Sequence, residues 1–136
     1  MSQDATCTDA PAQDAAAERS LRVVLADDHG GYRIGLARAI AGHGRLALAE
    51  AVRDGTAAVQ AVARHKPDIA LLDVRMPGLD GLETARRLRE SGTAIILLSG
   101  HASPALTREA ESAGAVALLS KELSRREICA RLVELA

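Results

Sequence analysis

Five polar residues stand at or just after the ends of short apolar runs in this chain. Asp27 and Asp28 follow Leu21–Ala26, Asp73 follows Ile69–Leu72, Ser99 follows Ala94–Leu98, and Lys121 comes after Ala115–Leu119 and Ser120. Apolar runs of this length, bounded by turn residues, read as buried strands. If those strands lie parallel, all five polar groups arrive at one edge of a sheet. Three carboxylates brought that close raise one another's pKa and resist ionising together. A hard divalent cation removes the conflict, and Mg²⁺ takes oxygen ligands while leaving positions open for phosphate oxygens. The charges of Asp27, Asp28, Asp73, Lys121 and one Mg²⁺ then cancel.

Taken singly, each residue has a plainer explanation. An Asp after a strand often only caps the next helix. A loop serine is usually a satisfied hydroxyl, and a lone lysine is usually solvated. The joint arrival of all five at one edge is what favours chemistry over capping. The focus of the arrangement is Leu71-Leu72-Asp73-Val74-Arg75-Met76-Pro77-Gly78-Leu79-Asp80-Gly81. There a buried strand ends in a single carboxylate, Pro77-Gly78 makes a turn, and a helix begins near Gly81.

The remaining elements must position these groups. Tyr32 to Ala41 has helical spacing through Leu36 and Ile40, and Leu46 to Ala49 is a second short strand. Asp54 to His65 reads as a helix capped by Asp54, with Val59, Val62 and Ala63 on its apolar face and Pro67 closing it. Leu82, Ala85 and Leu88 mark a third helix whose Arg86, Arg87 and Arg89 face water. Ser103 caps a fourth helix with Pro104 in its first turn, and Leu106, Ala110 and Ala113 form its thin apolar face. Ser124 caps a fifth, with Ile128, Leu132 and Leu135 at i, i+4 and i+7. Strands that are apolar throughout are buried on both faces, which calls for a parallel sheet with helices on either side. The expected architecture is α/β and flavodoxin-like: a doubly wound, five-stranded parallel sheet in the order 2-1-3-4-5, with five helices. Its ligand crevice lies where strands 1 and 3 diverge.

Composition narrows the function classes. A chain of 136 residues has room for one domain and a tail. Residues 1–20 contain no large apolar residue after Met1 and are expected to form a disordered tail, leaving 21–136 as the domain. Tyr32 is the sole aromatic residue, so Leu, Ile, Val and Ala must build the core. A net charge of -1 argues against strong nonspecific nucleic-acid binding by this chain itself. Cys7 and Cys129 have no metal-site spacing and make no disulfide framework, which suits a reducing cytoplasm. No apolar run is long enough to span a membrane. His29, His43, His65 and His101 share no ligand spacing and read as surface or loop residues, with His29 and His101 near the mouth of the crevice.

With these motifs in place, residues 21–136 resemble a receiver domain of a two-component response regulator. The likeness is carried by Val24-Leu25-Ala26-Asp27-Asp28-His29, by Leu72 through Gly81, by Leu97-Leu98-Ser99-Gly100-His101, and by Gly114-Ala115 through Ser120-Lys121. The Asp-Asp-His start and the Ser-Lys pair are similar to the LuxR/NarL-type subgroup. The resemblance implies that Asp73 accepts a phosphoryl group from a sensor histidine kinase. It implies that Asp28 binds Mg²⁺ directly, Asp27 helps through water, and the backbone carbonyl of Arg75 completes the protein ligands. Lys121 would meet the phosphoryl group, and Ser99 would move inward to bind it. The output would be a conformational switch, a phosphorylation-dependent homodimer and control of transcription through a DNA-binding domain not present in this chain. Apart from self-phosphorylation and slow dephosphorylation, no enzyme activity is implied.

One position departs from the family pattern. Strand 5 commonly carries a Tyr or Phe that turns inward on phosphorylation, and the matching residue here is Leu118, which has no ring to fill the space Ser99 vacates. Two other readings follow. One is a receiver-like protein- or ligand-binding module that works without phosphorylation. The other is a Mg²⁺-dependent phosphohydrolase, but enzymes resembling the haloacid dehalogenases want an acid two residues after the nucleophile, where Arg75 stands.

Overall fold

A computed structural model describes residues 19–136; the expected tail falls outside the described residues but for its last two. The elements alternate throughout: β1 (Leu21–Ala26), α1 (Gly30–Ala41), β2 (Leu46–Val52), α2 (Gly55–His65), β3 (Ile69–Asp73), α3 (Gly81–Leu88), β4 (Ala94–Ser99), α4 (Pro104–Ser112), β5 (Ala117–Ser120) and α5 (Arg125–Leu135). All five strands are parallel, in the order β2-β1-β3-β4-β5. This is the flavodoxin-like topology read from the apolar runs.

The sheet is buried on both faces, and successive side chains along each strand enter different cores. Val24, Ala26, Ala70, Leu72, Ile95 and Leu97 join Ala58, Ala61, Ala85 and Leu88 on the α2–α3 side. Val23, Leu25, Ile69, Leu71, Ile96 and Leu98 join Leu36, Ile40, Ile128 and Leu132 on the α1–α5 side. β3 is the centre of the sheet, with Leu72 opposite Ala26 of β1 and Leu97 of β4.

Several boundaries differ from the sequence reading. α1 starts at Gly30 and β2 runs on to Val52. β5 begins at Ala117, because Ala115 and Val116 complete the turn after α4, where Gly114 has φ +101°. α2 ends at His65 as read, but its stop is made one residue ahead of Pro67. Lys66 adopts a left-handed conformation (φ 46°) and returns its N–H to the Val62 carbonyl. The buried face of α2 is Ala58, Ala61 and Val62, whereas Ala63 is exposed.

The caps separate the two explanations of the aspartates. Asp54, Asp80, Ser103 and Ser124 each accept a backbone N–H at a helix start. The N-cap of α1 is His29, which makes no side-chain cap, and the cap of α3 is Asp80. Asp27, Asp28 and Asp73 are therefore not used as helix caps, and capping does not explain them.

Candidate functional site

The carboxyl edge of the sheet collects the predicted residues. Asp73 ends β3, directly beside Leu98 of β4, and Ser99 ends β4 opposite Ser120 of β5. Asp27 is fully buried and the Asp73 side chain is 4% exposed. The Lys121 ammonium lies between them, 2.8 Å from Asp27 Oδ2 and 3.2 Å from Asp73 Oδ2. Among the described residues, these two buried oxygens meet no other polar partner at such short range. The backbone fixes the lysine: its N–H donates to the Ser99 carbonyl at 2.8 Å, tying the end of β4 to the start of the β5–α5 loop.

Other backbone donors orient the acids. The His29 N–H donates to Asp27 Oδ1 at 2.8 Å, and the Arg75 N–H donates to Asp73 Oδ1 at 3.3 Å. Ser99 Oγ accepts the His101 N–H at 3.0 Å, which leaves the hydroxyl proton free to donate. Gly81 lets α3 approach β3: a Cβ there would strike the Asp73 carbonyl oxygen, with Val74 Cα at 2.8 Å.

The electrostatics follow from this packing. Burial pushes the Asp73 carboxyl above its ordinary value, and the nearby Asp27 charge adds to that; Lys121 and the Arg75 N–H pull it back without reversing it. Burial acts to lower the Lys121 pKa, but the contact with Asp27 and the charges of both carboxylates outweigh it and hold the ammonium above its ordinary value.

Asp27, Asp28, His29 and Asp73 each bring one ligand atom within 4.8 Å of all the others, a grouping that can hold a metal ion. Asp28 reaches the rim with its side chain 34% exposed. Arg75, Ser99 and Lys121 line the same cavity of about 440 Å³ as Asp73. Leu118 is half-buried and packs toward the α2–α3 side of the sheet. His29 and His101 line the cavity mouth, as read from the sequence; the close contacts of His29 and the presence of Tyr32 were not foreseen. His29 is 65% exposed, yet its Nδ1 lies 3.3, 3.2 and 3.6 Å from oxygens of Asp27, Asp28 and Asp73. The surface-or-loop reading of this histidine therefore holds for its exposure and misses its contacts. Tyr32 places its ring under Lys121. Adjacency to Asp28 is the only sequence signal for His29, and nothing in the sequence pairs Tyr32 with a residue 89 positions away.

A doubly wound sheet with a lysine-closed acidic cavity at its switch point is the architecture of a signal receiver domain. The response regulator receiver domain family matches residues 23–133, and the chain belongs to it. The transcriptional regulatory protein NarL of Mycobacterium tuberculosis is 39% identical over 118 residues, covering 85% of this chain and 55% of that protein. The transcriptional regulatory protein PdtaR of the same organism is 36% identical over 115 residues, covering 84% of this chain and 56% of its own. Among solved structures, the NarL signal receiver domain from M. tuberculosis has a TM-score of 0.81 at 38% identity, covering 85% of this chain and 94% of that one. A LuxR-family response regulator from Aurantimonas sp. SI85-9A1 has a TM-score of 0.78 at 27% identity, covering 85% of this chain and 83% of that one. The chain spans about half the length of the curated relatives it matches.

Proposed function

We propose that this receiver domain takes a phosphoryl group onto Asp73 and passes the event on as a change of conformation. The observation that carries the reading is the pair of buried carboxylates bridged by Lys121 at the carboxyl edge. An Asp73 oxygen attacks the phosphorus of the donor, a phosphohistidine of a sensor histidine kinase or a small acyl phosphate. The bond from phosphorus to the donor breaks, the electron pair leaves with the donor, and an acyl phosphate remains on Asp73. Asp28 and Asp73, with the Arg75 carbonyl and with Asp27 through water, would hold Mg²⁺. The gathering of carboxylate oxygens from Asp27, Asp28 and Asp73 within 4.8 Å of one another suits an oxygen-seeking cation. When bound, that ion offsets the charge gathered by carboxylates and phosphoryl oxygens.

The chain's own groups do the rest. Asp27 holds Lys121 in place at 2.8 Å, Lys121 meets a phosphoryl oxygen as a point charge, and Ser99 donates its free hydroxyl proton to another. Drawing Ser99 and Lys121 toward the new charge pulls on β4 and β5, which the Lys121 N–H to Ser99 carbonyl bond couples. Helix α4 buries only Ala110, so it is the element most easily displaced. The transcriptional regulators among the relatives support an output through a DNA-binding domain outside this chain, and the family resemblance supports a homodimer strengthened by phosphate. The buried free thiol of Cys129 supports a reducing, cytoplasmic setting. Arg75 at the position a haloacid dehalogenase-like hydrolase would fill with an acid speaks against that activity.

The test is incubation with acetyl phosphate and Mg²⁺, read by intact mass. One phosphoryl group, about 80 Da and labile to alkali as an acyl phosphate is, should add to the wild type and not to Asp73→Asn. Labelling that persists in Asp73→Asn places the nucleophile elsewhere, and an unlabelled wild type favours a binding module.

A further inference from the structure

Tyr32, the chain's sole aromatic residue, has its ring centroid 4.5 Å from the Lys121 ammonium. The same ammonium touches Asp27 at 2.8 Å and Asp73 at 3.2 Å, so it is fixed from three sides: two carboxylates and one ring face. An aromatic face attracts a cation at this distance, and more strongly where water is excluded. The Tyr32 hydroxyl is buried and has no hydrogen-bond partner among the described residues. Burial accordingly pushes its pKa up, with the Lys121 charge working against that shift. A tyrosine whose hydroxyl bonds to nothing is held there by what its ring does.

The ring is also well anchored. Tyr32 lies in the first turn of α1 and packs against the α1–α5 core. One turn on, Gly35 allows the Arg125 guanidinium of α5 into space that a Cβ would fill. Lysine has a long, flexible stem with many rotamers, and phosphoryl transfer depends on alignment of charge more than on covalent help from the protein. A rigid face under the ammonium removes most of those rotamers.

We propose that Tyr32 is a positioning residue for phosphoryl transfer: its ring face holds the Lys121 ammonium between Asp27 and Asp73, poised for the incoming phosphoryl oxygens. The inference rests on Asp73 being the phosphoacceptor. It also gives this chain an aromatic sensor of the site on the side of the sheet opposite Leu118.

The experiment compares phosphoryl incorporation from acetyl phosphate and Mg²⁺ in the wild type, Tyr32→Leu and Tyr32→Phe, timed by intact mass, with thermal midpoints measured alongside. Tyr32→Leu should be slower by about two- to thirtyfold, the range a cation–aromatic contact is worth. Tyr32→Phe keeps the ring and should recover most of the rate. In the wild type the emission of Tyr32, free of any other aromatic signal, should change in step with the mass gain as Lys121 moves toward the phosphoryl group; this readout stands if Tyr32→Leu does not fold. Equal rates in all three proteins, or a Phe variant as slow as the Leu variant, overturn the inference while leaving the phosphoacceptor in place. Emission that stays constant while the mass rises overturns it in the same way. A wild type that gains no mass overturns the phosphoacceptor reading, and this inference with it.

Discussion

Replacing Lys121 with Met tests the electrostatics of the site without touching either acid. Lys121 is 16% exposed, and its two partners are 0% and 4% exposed, so removing the ammonium leaves two buried carboxylates facing each other. Breaking a buried ion pair from one side costs about 3–5 kcal/mol. The partial exposure of Lys121 points to the lower end, about 3 kcal/mol, and a domain of this size should then melt about 10 °C lower at neutral pH. The sign of the pH dependence follows from Asp73. Its folded pKa already lies above the unfolded value of 3.8, and Lys121 is among the influences that pull it down. Without Lys121 it rises further. A carboxyl with a raised folded pKa contributes stability that is fully present below the unfolded pKa and is lost as pH rises through the folded one. The deficit of Lys121→Met should therefore be largest at pH 7 and shrink toward pH 4. With no ammonium competing for the carboxylates, the variant should bind Mg²⁺ more tightly than the wild type, and each tenfold difference in affinity should shrink the deficit at pH 7 by about 1.4 kcal/mol under saturating ion. The assay is calorimetric or circular-dichroism melting across pH 4–8, with and without Mg²⁺. Equal midpoints for variant and wild type at pH 7, or a deficit indifferent to both acid and Mg²⁺, would refute the charge argument.

Further outcomes follow from the same geometry. Asp28→Ala should weaken Mg²⁺ binding by at least the roughly tenfold that losing even an outer-shell partner costs, with little change in melting because Asp28 stands at the rim; calorimetric titration measures it, and equal affinities remove the metal site. Gly81→Ala should destabilise the domain by about 1–3 kcal/mol, because its Cβ meets the Asp73 carbonyl carbon at 2.9 Å and Val74 Cα at 2.8 Å; a wild-type melting curve would contradict the close approach of α3 to β3. Phosphorylation should change amide exchange chiefly over residues 99–119, since α4 buries only Ala110 and each buried CH₂ stabilises by roughly 0.8 kcal/mol; changes confined to Asp73 and its neighbours would mean that the charge is not transmitted.

Much of this molecule is legible in one dimension because its strands are local and saturated with apolar residues. Val23–Ala26, Ile69–Leu72 and Ile95–Leu98 are buried on both faces, as short continuous apolar runs bounded by turn residues indicate. Right-handed crossovers then leave few strand orders, so the convergence of Asp27, Asp73, Ser99 and Lys121 follows from topology before any side chain is placed. The caps at Asp54, Ser103 and Ser124 are equally local, each a side chain accepting an N–H three residues on. The sequence was less informative where two residue types have similar local preferences. It did not say that Lys66 takes a left-handed conformation to end α2 ahead of Pro67, because that depends on how the chain must turn into β3. It did not say that α2 buries Ala58 and Ala61 in place of Ala63, because the helix's rotation is set by the sheet beneath it. Above all, it brought His29 no closer than the crevice mouth and left Tyr32 as an ordinary residue of a helix. Only the folded chain brings His29 Nδ1 against three carboxylate oxygens and the Tyr32 ring beneath Lys121. Contacts between side chains so distant in sequence have no periodicity to betray them; they exist because the α1 and β5–α5 connections leave the sheet at the same edge.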